Sequence, residues 1–344
     1  MRFLNAHTLT VNLARFIKNR EIRFAVIHVT TRCNAKCVDR CNIWNSPPID
    51  MSCRDVYLAL DVLEKNNFSV AYFTGGETGL YPNLVDAIQY AKHKGFVTSI
   101  TTNGSISKNT LSQLSRTLDV LSVSVDHYDE KTWDRMKHLP GIAKKAKETI
   151  RLAKAFGINL YAVTFLNPAW TPEEVGKVVS YVNDELEIPF AFSYPFISSN
   201  NGTYTVGGKL VASDDYLLNI KSLVSKVLEL KTKGSNVATT TCYIKEVLRA
   251  YDGVPLKYPC KAGRTILTID CRLNVFPCYK KDLLFNLKDY QNLNLQPVDS
   301  SMCDNRSCLI NCFKEASENS RELFMWSYVE EFFSNPKFYL NIIR

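Results

Sequence analysis

The feature that most constrains the fold of this chain is a regular alternation of short apolar runs with longer amphipathic segments. The six runs are rich in β-branched and aromatic residues, at Phe24–Val29, Val70–Phe73, Val97–Thr101, Val120–Val125, Leu160–Phe165 and Phe190–Tyr194. The helical patterns are 53–66, 83–94, 108–117, 129–156, 172–186 and 213–232. Strands joined through helices pair in parallel with right-handed crossovers. The pattern therefore predicts an α/β fold, a partial (β/α)6 TIM-type barrel.

Four of the predicted strands end in glycine, amide, carboxylate or thiol residues instead of ordinary loop residues. These strand ends are Thr30–Cys33, Thr74–Glu77, Thr102–Gly104 and Ser124–His127. The carboxyl ends of parallel strands meet at one rim, and that rim is where ligands bind in such folds. We therefore predict that the functional site lies there.

The eleven cysteines are concentrated at the two ends of the chain. Cys33, Cys37, Cys41 and Cys53 precede a cysteine-free segment, residues 54–241, and the other seven follow it. No export signal and no apolar run of membrane-spanning length is apparent, so we expect a cytoplasmic protein. In that compartment cysteines bind metals or clusters more often than they form disulfides. Two metal or cluster sites are therefore expected.

The first cysteine group lies in the loop after the first strand. Cys33, Cys37 and Cys41 fall within nine residues, close enough to surround one centre. A four-iron cluster with three cysteine ligands keeps one iron open for a substrate. Structural zinc takes four protein ligands, and Cys53 could be the fourth. Taken alone, the cysteines leave both interpretations open.

In their order and spacing the four strand-end motifs resemble the radical S-adenosylmethionine superfamily over residues 22–196. The similarity is carried by HVTTRCNAKC, FTGGETGLYPNL, TTNGSI and SVSVDHYDEKTWDRM. It implies a [4Fe-4S] cluster, whose open iron binds the amino and carboxylate groups of S-adenosylmethionine. The residues it implies are Cys33, Cys37 and Cys41 for the cluster, Gly75, Gly76 and Glu77 for the methionine amino group, and Asn103, Ser124 and Asp126 for ribose or carboxylate.

The cysteine spacing departs from the superfamily's usual Cys-x3-Cys-x2-Cys. Here one residue is added, and Arg40 stands where an aromatic residue usually precedes the third cysteine. Loops absorb single insertions at little cost, so we still expect a cluster.

The C-terminal cysteines flank and follow a predicted hairpin at 257–281, with the strands ILTI and VFPC. The run PCKAGRTILTIDCRLNVFPC resembles the SPASM or twitch extension of radical S-adenosylmethionine enzymes, with Leu273 in place of the family's glycine. The resemblance implies an auxiliary [4Fe-4S] cluster, with structural zinc as the alternative. The candidate ligands are Cys260, Cys278, Cys303, Cys308 and Cys312. Cys53, Cys242 and Cys271 receive no role.

The predicted divisions are an N-terminal amphipathic helix at 1–20, the barrel at 21–250, the auxiliary domain at 251–318 and a C-terminal helix at 319–344. In the first helix, apolar residues such as Leu9 and Leu13 alternate with Arg15 and Lys18. We expect its apolar stripe to close the bottom of the barrel. The second interpretation is contact with an anionic membrane surface, peripheral to its inner face. The net charge of +8 favours anionic ligands, but no basic block indicates nucleic-acid binding.

The resemblance implies an enzyme that cleaves S-adenosylmethionine reductively and modifies a substrate at an unactivated C–H bond, with ferredoxin or flavodoxin as electron donor. Residues 147–182 and the N-terminal helix are similar to members that act on lipids, which favours a lipid or other small molecule. The C-terminal extension is similar to peptide- and protein-modifying members, and this is the alternative substrate class. A non-enzymatic binding protein stabilised by zinc or a cluster is the other alternative.

Overall fold

Six parallel strands in chain order form the centre of the fold, as predicted. The computed structural model describes residues 4–37, 41, 43, 46–194, 214–254, 260–278 and 283–289, with the backbone alone for 214–217. Its strands form one sheet of order β6-β5-β4-β3-β2-β1-β7-β8-β9. Strands β6 and β9 stand at the two ends of this order. The described sheet is therefore a partial barrel and not a closed one.

The elements follow the predicted alternation with small shifts at their ends. The strands are β1 (Phe24–Thr30), β2 (Val70–Gly75), β3 (Val97–Thr102), β4 (Val120–Ser124), β5 (Asn159–Phe165), β6 (Phe190–Ser193), β7 (Ile266–Ile269), β8 (Asn274–Phe276) and β9 (Phe285–Asn286). The helices are α1 (Ala6–Asn19), α2 (Cys53–Lys65), α3 (Leu84–His93), α4 (Lys108–Leu114), α5 (Glu130–Lys137), α6 (Ile142–Ala155), α7 (Pro172–Ser180), α8 (Asp214–Thr232) and α9 (Thr241–Tyr251). None of the helices in these described ranges is long and apolar enough to cross a bilayer.

The core lies between the sheet and the surrounding helices. In β1, Ala25, Ile27 and Val29 are fully buried on the helix side. Because strand side chains alternate between faces, His28 lies on the barrel side. Burial lowers the pKa of His28 to about 4, so its imidazole is neutral at pH 7.

The helical pattern predicted over 129–156 is divided into two helices. Helix α5 ends at His138, which has φ 47, and α6 begins after Gly141, which has φ 78. Pro140 cannot donate a backbone hydrogen bond and disfavours helical geometry in the preceding residue. The break lets the end of α5 turn toward the strand ends. Helix α9 is an element that the sequence pattern did not reveal.

The hairpin between Cys260 and Cys278 is confirmed, because β7 and β8 pair antiparallel. Strand β7 also pairs in parallel with β1, from Phe24↔Ile266 to Ile27↔Ile269, so the hairpin extends the barrel sheet. Leu273 in its turn is fully buried with φ 65. A left-handed conformation explains why a glycine is usual there. The predicted helix at 319–344 and residues 290–318 lie outside the described part of the chain.

Helix α1 covers the bottom of the barrel, but with the opposite face from the one predicted. Arg15 is buried and donates to the carbonyls of Lys94 at 2.8 Å and Gly95 at 3.4 Å. Asn12 also donates to Gly95 O at 2.8 Å. The expectation that the apolar stripe packs on the barrel is therefore wrong for most of its members. The terminal carbonyls of α3 lack helical partners and attract donors instead.

Candidate active site at the carboxyl ends of the strands

The first cysteine group lies in the loop after β1, at the predicted rim. The Cys37 thiol is buried, Cys33 and Cys41 are half-buried, and none of the three forms a disulfide with another described cysteine. The N–H of Cys41 donates to the carbonyl of Cys37 at 3.4 Å. Burial raises the pKa of the Cys33 thiol to about 12, with smaller contributions from Glu77 and the other two cysteines. The three thiols and Glu77 are thus within electrostatic range of one another.

Asp50 and the end of helix α5 hold this loop at several points. Thr30 Oγ1 donates to Asp50 Oδ1 at 2.6 Å, and Arg32 forms an ion pair with the same carboxylate. Farther along the loop, Lys36 N donates to the carbonyl of Lys137 at 3.0 Å. The cysteines are therefore attached to a constrained backbone.

Asn103, one of the predicted site residues, also binds the cysteine loop. Its Nδ2 donates to Asn34 Oδ1 at 3.0 Å, and Asn34 Nδ2 donates to Ser105 Oγ at 2.7 Å. The end of β3 is thereby joined to the residue that follows Cys33.

Gly75 and Gly76 let the second strand end pack directly on the cysteine loop. A Cβ on Gly76 would lie 2.1 Å from the carbonyl oxygen of Arg32, and one on Gly75 would lie 2.1 Å from that of Thr30. Backbone hydrogen bonds of 2.8 Å join Gly76 N to Thr30 O and Glu77 N to Arg32 O. These glycines are predicted to bind a ligand, and in the structure they also make room for the chain's own backbone.

The Glu77 carboxylate is almost fully buried and joins the ends of β2 and β3. It accepts hydrogen bonds from Thr102 Oγ1 at 2.5 Å, Asn103 N at 2.6 Å and Gly79 N at 2.8 Å. Burial raises the pKa of Glu77, although these donors and Lys137 act in the opposite direction. Pairing of this carboxylate with the ammonium of S-adenosylmethionine stays a prediction.

Asp126 lies just beyond β4 and forms a buried ion pair with Lys137 of α5. The Lys137 Nζ to Asp126 Oδ2 distance is 3.0 Å, and both side chains are less than a tenth exposed. Ser124, the last residue of β4, lies two residues before Asp126 and is half-buried. Lys137 was not among the predicted site residues, although its position four residues after the buried Trp133 places it on the inner face of α5.

The three thiols of this rim suit a [4Fe-4S] cluster. Among the described residues, no three His, Cys, Asp or Glu side chains converge on one ion. Each cysteine ligand of a cluster binds a different iron, so three thiols spread along one loop suffice. The rim also presents the buried carboxylates Glu77 and Asp126.

The auxiliary ligand set is only partly within the described residues. Cys260 is half-buried before β7, and Cys278 is buried just after β8. Cys303, Cys308 and Cys312 lie outside the described ranges, so this ligand set stays a prediction. The Cys271 Sγ donates to the carbonyl of His28 at 3.1 Å, and Cys53 begins α2.

The part of the chain that carries this rim matches a known protein family. Residues 27–182 match the family model of the radical SAM superfamily. "Antilisterial bacteriocin subtilosin biosynthesis protein AlbA" from Bacillus subtilis (strain 168) is 26% identical over 180 residues, 50% of this chain and 39% of that protein. An "S-adenosylmethionine-dependent nucleotide dehydratase" from Thermoplasmatales archaeon (strain ISO4-H5) is 34% identical over 116 residues, which are 32% of this chain and 40% of that protein. The chain spans about half the length of the curated relatives it matches.

Solved structures show the same fold. Streptococcus suis SuiB bound to S-adenosylmethionine superposes with a TM-score of 0.61 at 19% identity, covering 84% of this chain and 69% of SuiB. Native anSMEcpe with bound AdoMet gives a TM-score of 0.58 at 16% identity, covering 93% of this chain and 99% of anSMEcpe. The partial-barrel prediction is thus confirmed, and the superposition extends beyond residues 27–182.

Proposed function

We propose that the protein is a radical SAM enzyme that modifies a peptide at an unactivated C–H bond, because residues 27–182 match the family model of the radical SAM superfamily. The superfamily's cofactors are a [4Fe-4S] cluster and S-adenosylmethionine. The structural observation that carries the radical SAM part of the proposal is the packing of the loop bearing Cys33, Cys37 and Cys41 against Gly75 and Gly76.

When bound, a reduced [4Fe-4S] cluster would pass on the one electron needed for reductive cleavage of the C5′–S bond of S-adenosylmethionine, which would release methionine and let the 5′-deoxyadenosyl group take a hydrogen atom from the substrate. In the proposal the thiolates of Cys33, Cys37 and Cys41 hold the cluster. Gly75, Gly76 and Glu77 bind the methionine amino group, and Asn103, Ser124 and Asp126 bind ribose or carboxylate. A small electron-transfer protein such as ferredoxin or flavodoxin supplies the electron.

Several of these assignments combine binding with support of the rim. The backbone of Gly76 is already fixed against Arg32, and the Glu77 carboxylate accepts three hydrogen bonds from the chain. Such groups are positioned before a ligand arrives, which lowers the ordering cost of binding. Lys137 forms a buried ion pair with Asp126 and so fixes the position of that carboxylate.

A peptide substrate is better supported than the lipid or small molecule favoured by the sequence. AlbA is named for the biosynthesis of a bacteriocin. SuiB has been solved with its precursor peptide SuiA, and anSMEcpe with the Cp18Cys peptide. The nucleotide dehydratase relatives favour a nucleotide as the second candidate.

The enzymatic proposal is tested by the production of 5′-deoxyadenosine. Anaerobically reconstituted protein, S-adenosylmethionine and dithionite should yield it, as measured by chromatography with mass detection. The triple substitution of Cys33, Cys37 and Cys41 by alanine should abolish the product and leave the far-UV circular dichroism unchanged. The matched control is Cys242→Ala, a half-buried cysteine on α9. Product formation by the triple variant would contradict the assignment.

The substrate class is tested by deuterium transfer. A peptide encoded near this chain's gene and a nucleoside triphosphate, each deuterated at carbon, are supplied separately to the wild type. The proposal predicts deuterium in 5′-deoxyadenosine from the peptide alone. Deuterium transfer from the nucleotide alone would contradict a peptide substrate and favour a nucleotide substrate instead.

A further inference from the structure

Helix α1 carries an apolar stripe that the described residues leave partly exposed to solvent. Leu9 is 58% exposed, Leu13 57%, Phe16 38% and Ile17 68%. Their spacing of four, seven and eight residues from Leu9 places them on one side of the helix. Large side chains exposed together in this way mark an interaction surface more often than isolated ones do.

This exposure is enforced by the polar contacts on the other side of α1. Arg15 donates to two carbonyls at the end of α3 and lies 4.7 Å from the centre of the Phe96 ring. Asn19 donates to Asn67 O at 3.0 Å. The helix cannot rotate its stripe inward without losing these bonds and leaving a buried guanidinium unpaired. The orientation is therefore a stable property of the folded chain.

The charges around the stripe are basic. Residues 4–20 contain no aspartate or glutamate, and Lys18 and Arg20 are exposed at the end of the helix. The next acidic residue, Glu21, is bonded to both Lys261 and Arg264. A second copy of this face would bring like charges together, whereas an anionic lipid surface would neutralise them.

We infer that α1 docks the protein on an anionic membrane surface through Leu9, Leu13, Phe16 and Ile17. Apolar side chains enter the boundary between headgroups and acyl chains, and the flanking lysine and arginine contact the lipid phosphates. One stripe on one helix gives reversible binding, since stable anchoring takes further signals.

This docking leaves the candidate active site away from the membrane. Helix α1 contacts Asn67, Lys94 and Gly95, which directly precede β2 and β3. The cysteine loop lies at the opposite ends of the same strands. The rim would then face the aqueous side, where a peptide or nucleotide reaches it.

The test is cosedimentation of the reconstituted full chain with lipid vesicles. The wild type should bind vesicles of phosphatidylcholine with about 30% phosphatidylglycerol, bind phosphatidylcholine alone far less, and be released by about 0.5 M salt. The double substitution Leu13→Glu with Ile17→Glu should reduce binding at least about tenfold. Leu218→Glu is the matched control, because Leu218 is 66% exposed on α8.

The variants must keep the wild-type iron content, melting temperature and rate of S-adenosylmethionine cleavage, because both substituted positions are exposed and distant from the rim. Equal binding of the wild type to both vesicle types, or equal binding of the double variant, overturns the proposal. A wild-type dimer that becomes a monomer on double substitution, without vesicle binding, would instead assign the stripe to contact between copies.

Discussion

Gly76→Ala tests whether the Gly-Gly-Glu turn supports the cysteine loop through backbone packing. The new methyl group would lie 2.1 Å from Arg32 O and 2.5 Å from Arg32 C, so the two segments must separate by roughly 1 Å. That separation breaks the bonds from Gly76 N to Thr30 O and from Glu77 N to Arg32 O, each 2.8 Å long. Two lost hydrogen bonds and overpacking together should destabilise the protein by about 3–5 kcal/mol.

The assay is urea unfolding of the cluster-free protein, followed by circular dichroism, with iron per chain measured after anaerobic reconstitution. Gly176→Ala is the control, because its Cβ on α7 would meet only Lys226 Cε at 3.9 Å. A helical glycine replaced by alanine should be neutral or stabilising by up to about 1 kcal/mol. If Gly76→Ala unfolds within about 0.5 kcal/mol of the wild type and takes up the same iron, the packing argument is refuted.

Three other perturbations test the rim, the barrel and the C-terminal cysteines. Lys137→Met should lower the free energy of unfolding by about 3–5 kcal/mol, because it leaves the Asp126 carboxylate buried without this partner. Urea unfolding should show that a second substitution, Asp126→Leu, recovers part of this lost stability. Burial lowers the pKa of His28 to about 4, so unfolding takes up a proton as the pH falls from about 6.5 to 4 and stability drops by about 2–3 kcal/mol. Urea unfolding at pH 7 and 4.5 should show a smaller drop in His28→Gln, and an equal drop would contradict the assignment. Substitution of Cys278 and Cys312 by alanine should lower iron from about eight to about four per chain if a second four-iron cluster is present, and unchanged iron would remove both from its ligands.

Much of the fold follows from local patterns in the sequence. The six barrel strands are recognisable because each is a short β-branched run between helical segments, and parallel pairing then orders them along the sheet. The position of the rim follows as well, because the carboxyl ends of parallel strands lie together. The hairpin between Cys260 and Cys278 was also predictable from its two apolar runs, and Leu273 with φ 65 occupies the place usual for glycine.

The contacts between side chains at the rim could not be predicted from such local patterns. The sequence indicates that Glu77 follows the second strand. The hydrogen bonds of its carboxylate with Thr102 and Asn103, however, depend on where β3 ends. Lys137 contacts Asp126 because Pro140 ends the first part of a helix that the periodicity predicted as continuous. Such contacts join residues distant in the chain, and no local pattern specifies them.

Helix α1 shows most clearly what the sequence determined and what the tertiary structure decided. The periodicity of residues 6–19 determined that a helix forms with an apolar and a polar side. Which side turns inward depended on what lies beneath it, and beneath it the carbonyls of Lys94 and Gly95 lack helical partners. Buried carbonyl acceptors, and a buried guanidinium, cost free energy when they have no hydrogen-bond partner, and these hydrogen bonds avoid that cost. Arg15 and Asn12 therefore face the barrel, and the apolar stripe faces outward.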